Sequence, residues 1–489
     1  MHTDSLTVTA WGDLLRGRNG LLALALMGGV ALHAINVHIV TTVLPSVVQD
    51  IGGLDWYAWN TTLFVVASIV GAALSVWLLA MLGQRGACVA ALAVFALGSA
   101  GCALATSMPW MLAGRSVQGL GGGTLAALSY ALIRVVFEPR LWPRAVALVS
   151  GMWGVATLCG PALGGLFAQA GHWRWAFWTL LPVALLQGLL VIGQLRPAGD
   201  RNASVDGAPR IPFLQIGLLA TSVLAIAAGS LSAALIWQCI GVAAGLALGM
   251  SAIVCDRRAT VRLLPVGATA LGKPLGAVYA SVALLLIGTT AEIFVPYFLQ
   301  ILHGLTPLAA GYLSAAMAGG WSLASLFSSG HNGVNAARLL RAGPMLCAAS
   351  LLALAVLMPA SDDLPAAVRT LFCGLALAGV GAGVGICWPH LLTRVLTLAP
   401  PGEGGMASAA ITTVQLYGMA VGAAVAGLVA NTAGLGGQDG IAGTQSAAVW
   451  LFASFALAPA LTVLLARRIS QTAHRHPAHT PSPLDKGRA

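Results

Sequence analysis

The sequence predicts an all-α membrane protein with fourteen transmembrane helices, and three observations predict it. Of 489 residues, 58% are hydrophobic and only 8% charged, against roughly 25% charged in a soluble globular chain; mean hydropathy is +0.88. Apolar runs of about 20 residues, each long enough to cross a hydrocarbon core of roughly 30 Å, recur along nearly the whole length. The connections between those runs carry their basic residues on alternate sides.

Cutting at charges and at Pro/Gly breaks places the spans near 20–44, 56–81, 87–107, 109–133, 145–169, 175–195, 211–231, 233–254, 275–301, 306–328, 343–360, 367–392, 405–430 and 446–466. With Arg16 and Arg18 in the cytoplasm, alternation puts all 24 basic residues in cytoplasmic loops and tails except Arg115, Arg174 and Arg369. That is the positive-inside bias, and it places both termini inside a bacterial-type inner membrane. Two missed or invented spans would scramble it. The net charge of +10 then faces an anionic lipid surface, and no nucleic acid is needed to explain it. The apolar run after Arg18 is too long for a cleavable signal core. Eight Cys are scattered with no C-x-x-C pair, so disulfide and metal readings both fail, and no cofactor is expected.

The polar breaks divide the chain. A cytoplasmic N-terminus (1–19) leads into six spans (20–195). The longest central polar stretch, 196–210, is where two halves would join. Two spans almost without polar groups follow (211–254) and read as peripheral. A basic linker (255–274), six more spans (275–468) and a polar tail (469–489) complete the chain.

The first span carries His33, Asn36, His38, Thr41 and Thr42 before Leu44-Pro45. Polar groups so dense either bond between helices or face a wet interior. Trp56, Tyr57, Trp59 and Asn60 open the second span as an aromatic belt at the outer interface. In the fourth span, Arg115 costs a few kcal/mol in hydrocarbon; it either snorkels outward or points into a polar cavity. Gly119 and Gly123 form a small-xxx-small pair, expected to pack against Gly160 and Gly164. The fifth span, 151–166, holds Pro161 among Gly154, Gly160, Gly164 and Gly165, a combination ruinous to a soluble helix and useful in a tightly packed, bendable membrane one. His172-Trp173-Arg174-Trp175 plugs the interface after it.

Glu292 is the only carboxylate in the interior of a span; the other thirteen acidic residues lie in loops, tails or span ends. Desolvation disfavours its charged form, which suits either a permanently neutral structural group or one that takes and releases a proton. Pro296 one turn on would free a carbonyl beside it. Tyr312, Trp321, Trp388, His390, Gln415 and Tyr417 offer aromatic and polar groups for a mostly apolar cavity, while Gly379/Gly383, Gly381/Gly385 and Gly418/Gly422 repeat the close-packing device.

These residues resemble the major facilitator superfamily, and within it the fourteen-helix drug:proton antiporters. Arg115-x-x-Gln118-Gly119 matches the superfamily's fourth-span motif, and Gly154…Gly160-Pro161-x-x-Gly164-Gly165 its fifth-span antiporter motif. Trp173-Arg174-Trp175-x-Phe177 resembles the loop that follows, and Leu299-Gln300 with Gly304, Thr306-Pro307-Leu308 and Gly311 the junction between ninth and tenth spans. Two departures stand out. The family's first-span Asp and Thr are Asn36 and His38 here, and its second-to-third-span loop has Ala80 and Met81 where Asp and Arg are usual.

The resemblance implies two six-helix bundles related by a pseudo-twofold axis, with two extra central helices, rocking about a midplane cavity. It implies a secondary transporter, not an enzyme, working as a monomer that exchanges protons for a hydrophobic or amphipathic small molecule across the lipid bilayer. Glu292, Arg115, His33 and His38 would handle the proton. Asn36, Gln118, Tyr312, Trp321, Trp388 and Gln415 would line the substrate cavity, and Gly154, Gly160, Pro161, Gly164 and Gly165 would form the conformational motif. The missing first-span acid keeps a second reading open, in which the same fold carries a specific metabolite by import or uniport. A non-transporting sensor is a third. No phosphate-binding loop or intramembrane catalytic pair is present.

Overall fold

The computed structural model describes residues 14–138, 141–197, 211–232, 234–329, 331, 333–360 and 365–471. Residues 1–13, most of the 196–210 linker and 472–489 lie outside this description. Among the described residues the chain is helical throughout, with no strand. Ten segments are long and apolar enough to cross a membrane.

Helix α1 covers Gly17–Ile51. It runs through Pro45, where the sequence suggested an end, because helices in an apolar bundle can lose one amide bond when neighbours cover the gap. Two left-handed glycines, Gly52 and Gly53, stop it instead. Helix α2 covers Trp59–Ala103. As one rod it would be about 67 Å long at 1.5 Å per residue, twice a hydrocarbon core. Gly83, at φ 68°, breaks it into two arms. Then come α3 Met108–Val136, α4 Trp142–Gln169, α5 Arg174–Trp178 and α6 Leu180–Gln194. The two apolar helices after the linker are α7 Phe213–Gly229 and α8 Leu235–Arg258.

The later part begins with α9 Pro274–Thr289, tightens into a 3₁₀ turn over Thr290–Phe294, and resumes as α10 Val295–Ile301. Pro296 therefore opens a new helical segment, where its missing N–H costs nothing; it does not sit inside a continuous helix as the sequence suggested. Helices α11 Pro307–Ser328, α12 Gly333–Leu357, α13 Ala366–Leu398, α14 Gly404–Thr432, α15 Gly440–Phe455 and α16 Leu457–Gln471 follow.

Helices α1–α6 pack among themselves, as do α9–α16, and the two groups meet along two seams: α4 against α11 and α2 against α14. The α7–α8 pair leans on both α2 and α14. Several contacts between the groups gather at the end carrying residues 52–58. There the Tyr57 ring stacks on Phe294 at 4.9 Å and meets Tyr297 edge-on at 5.5 Å. Tyr57 is fully buried, so this residue is a plug between the groups and not part of a lipid-facing belt.

Candidate functional site

The α3 glycines set the site. A Cβ at Gly119 would overlap the Phe64 backbone, one at Gly123 the Ser68 backbone and one at Gly121 the Phe95 backbone. Without them both arms of α2 lie against α3, and the polar side chains one turn away meet α2 directly. Gly119 and Gly123 thus pack on α2, not on the Gly160/Gly164 face expected from the sequence.

Arg115 is 2% exposed and does not snorkel. Its Nε donates to the Asn60 carbonyl at 3.2 Å, its guanidinium donates to Gln118 Oε1 at 2.5 Å, and its Cζ lies 4.0 Å from the Phe64 ring centroid. Gln118 Nε2 passes the chain on to Ser99 Oγ at 2.8 Å. No carboxylate pairs with Arg115 among the described residues; amide oxygens and a ring face hold the cation instead. The sequence did not point to Phe64 or Ser99, and offered Asn60 only as part of an interfacial belt; they have no pattern of their own and matter only through α3's close approach.

Two other named residues join this column from α1. His33 stacks on the same ring, Phe64, at 5.3 Å and meets Trp153 edge-on at 6.0 Å. Its Nδ1 is enclosed and unpartnered among the described residues, as are both polar atoms of the Asn36 carboxamide one turn on. Asn36 and Gln118 are fully buried in this conformation, Gln118 held between Arg115 and Ser99. His38 lies apart, its Nε2 3.5 Å from Thr157 Oγ1.

The fifth-span motif works as a double-sided contact strip. A Cβ at Gly160 would overlap His38, and one at Gly164 would crowd Ile39 and Thr42; both look toward α1. Gly165 looks the other way, onto Leu308 of α11, and Gly311 of α11 returns the contact onto Thr42 and Pro161. Gly160, Pro161, Gly164 and Gly165 therefore join α1, α4 and α11 where the two groups meet. Gly154 has open space beside it.

Glu292 stands in the 3₁₀ turn of the second group, partly buried. Its carboxyl has no hydrogen bond or ion pair among the described residues. The turn packs on α14, and the plug ring Phe294 is two residues away. His33 and His38 belong to the other group, and among the described residues neither is hydrogen-bonded to it.

The remaining named residues fall into separate places. Trp321 and Trp388 form a T-shaped pair at 4.9 Å. Tyr312 is 45% exposed near the start of α11, and Gln415 is partly buried on α14. His390 bonds Ser328 at 2.8 Å, and Tyr417 turns to Ser222 of α7 at 3.0 Å; both are engaged in helix packing. Beside the plug end, Arg174 pairs with Asp50 at 2.6 Å, Trp173 donates to the same carboxylate and Arg174 donates to the Ala105 carbonyl. That interfacial loop therefore clamps α1 to α2. Among the described residues no three His, Cys, Asp or Glu cluster as metal ligands would.

The family described as Major Facilitator Superfamily matches residues 26–423. A probable multidrug-efflux transporter of Mycobacterium tuberculosis is 40% identical over 432 residues, 87% of this chain and 90% of that one. An uncharacterized transporter of Escherichia coli is 27% identical over 87% of this chain and 92% of its own. Among solved structures, a D-xylose-proton symporter superposes with a TM-score of 0.64 at 13% identity, covering 93% of this chain and 98% of its own. A peptide transporter superposes at 0.62 with 13% identity, covering 92% and 95%. At such identities the structures show the fold alone.

Proposed function

The chain belongs to the major facilitator superfamily, and from that premise we propose that it exports hydrophobic or amphipathic small molecules in exchange for protons. The observation that carries the export reading is the 40% identity, over nine-tenths of its length, to a probable multidrug-efflux transporter. Proton exchange is supported by Glu292, the one acid placed well inside a span, with no ion pair to a cation among the described residues. Such a group changes charge state when its surroundings change from oily to wet.

The topology that serves this reading has fourteen crossings. Counting each arm of α2 at the Gly83 break, α5 with α6, α9 with α10 and α15 with α16 as single crossings gives that number. Positive loops then place both termini in the cytoplasm, and the Tyr57 end faces outward. The conformation described is one closed to the outside. Rocking of α1–α6 against α9–α16 would part Tyr57 from Phe294 and expose Glu292 to external protons. Arg115, with His33 and His38, tunes the proton step from the first group. The Trp321–Trp388 pair, Tyr312 and Gln415 offer apolar and polar surface for the ligand, joined by Asn36 and Gln118 when the groups part. A coupled proton drives the cycle only through its different affinity for the two states.

A second reading, import or uniport of a specific metabolite, is favoured by Asn36 at the family's acidic position and by the lack, among the described residues, of a carboxylate paired with Arg115. Transport of a lipophilic cation by proteoliposomes under an imposed pH gradient separates the two. Export requires uptake that follows the gradient in wild type and stops following it in Glu292→Gln. Transport indifferent to both the gradient and the substitution would establish uniport.

A further inference from the structure

The α7–α8 pair is fastened to the two helix groups by different kinds of contact. To α14 it is pinned by polar bonds at successive heights. Asn431 Nδ2 donates to the Ser230 carbonyl at 3.1 Å at one end, and Ser222 Oγ meets Tyr417 Oη at 3.0 Å farther along. Gly249 of α8 leaves just enough room for that Tyr417 hydroxyl, 2.8 Å from where a Cβ would stand. At the far end the connection after α8 is tied back as well. Asp256 accepts from the Leu263 and Leu264 amides at 2.6 and 3.2 Å, and the Val266 amide donates to Glu403, just ahead of α14, at 2.8 Å.

The contact with α2 is apolar. Ile216, Val223, Ile226 and Ala227 of α7 share one buried cluster with Phe64, Val65, Val66 and Ile69 of α2. Ala420 and Ala424 of α14 belong to the same cluster, so apolar contact is common to both sides and the polar bonds are what α14 adds. Hydrogen bonds fix register because each has a preferred length and direction. Apolar burial is non-directional and nearly indifferent to a slide along the surface. Asn431 makes a second hydrogen bond, to the Asp55 carbonyl of the first group at 2.9 Å, in the loop that must withdraw when the Tyr57 plug opens.

We propose that the α7–α8 pair rides on the second helix group as a sliding cover over the α2/α14 seam. Register with α14 is kept through the cycle, α2 slips past, and Asn431 releases Asp55 while keeping Ser230. The inference rests on the alternating-access reading, since a rigid protein needs no such cover.

The test uses the full chain in proteoliposomes, with Cys159 and Cys239 replaced by Ser and tetraphenylphosphonium as the transported probe. Each cysteine pair is compared before and after cross-linking with a short bis-thiosulfonate, so folding is controlled within the sample. Cross-linking Ser222→Cys to Tyr417→Cys is expected to leave more than about half of the transport. Cross-linking Val223→Cys to Ile69→Cys is expected to leave less than about a tenth, because it ties the rider to both groups. The reverse order, two harmless links or two blocking links would each overturn the rider. Absence of transport before cross-linking would instead count against the exporter reading. Spin-label distances need no substrate and decide the matter then. From Leu246→Cys on α8, the distance to Leu375→Cys on α13 should hold between two pH values, while that to Leu97→Cys on α2 changes. A constant distance to α2, or a larger change toward α13, overturns the proposal.

Discussion

Two charged groups, Arg115 in the first helix group and Glu292 in the second, are treated in opposite ways. In the first, a cation is enclosed and its needs are met: Arg115 bonds the Asn60 carbonyl and Gln118 and lies on Phe64. In the second, an acid stands in a 3₁₀ turn with nothing holding its charge. A guanidinium stays protonated under nearly all conditions, so a fixed cation suits a fixed frame of backbone carbonyls and amides. A carboxyl without partners is free to change state with its surroundings. Under the proposed proton exchange, the first group would supply a permanent field and the second the variable proton.

The sharpest way to break that contrast is at the acid. Glu292→Gln keeps the shape and removes the titration, and gradient-driven transport is expected to fall about tenfold or more while ungated probe binding stays. A variant with intact gradient response would put the proton elsewhere. Next comes the cation. Arg115→Lys keeps the charge but cannot serve Asn60 and Gln118 together or lie flat on Phe64, so a loss of about 1–3 kcal/mol is expected. A lowered melting temperature with transport reduced in proportion to folded protein would mark the cation as frame; unchanged melting would remove it from that role.

A smaller effect sharpens the boundary between the groups. Gly160→Ala drives a methyl into His38, whereas Gly154→Ala meets nothing within 4 Å. The first is expected to cost about 1–3 kcal/mol through overpacking, seen as a lower melting temperature, and the second to be nearly silent. Equal effects would mean that α4 is not held against α1 as described. The smallest concerns His303, in the connection between α10 and α11. Burial, first, lowers its proton affinity below the ordinary 6.5, with Arg369 adding to this and the Met358 carbonyl opposing it. The folded protein therefore favours the neutral ring. Its contribution to stability is complete above pH 6.5 and is lost as pH falls through and below that value, where the unfolded chain takes up the proton first. Melting should be lower at about pH 5.5 than at about pH 8, and His303→Gln should narrow the gap.

Much of this architecture is legible in one dimension. Hydropathy and alternating basic loops marked the spans, and the glycine motifs of α3 and α4 marked where helices come closest. The partners of those motifs were not legible. Gly119 and Gly123 looked as though they should meet Gly160 and Gly164; they meet α2, and α4 meets α1 and α11. Tyr57 read as an interface aromatic and is a buried plug. The α7–α8 pair read as peripheral because it has few polar groups; that Ser222, Ser230 and the following loop tie it to α14 was not legible.

What the sequence by itself determined is that the chain is a series of apolar helices long enough to cross a membrane and which of their faces are small or polar, because those follow from transfer free energies and a 3.6-residue period summed along the chain. Where a helix continues or breaks, as at Pro45 and Gly83, it did not determine. Which neighbour each face meets, and with it whether Arg115 finds a carboxylate or only amides, was decided by tertiary structure alone. In hydrocarbon, helix pairing rests on close steric fit and single hydrogen bonds between residues far apart in sequence, and no local pattern records who the other party is.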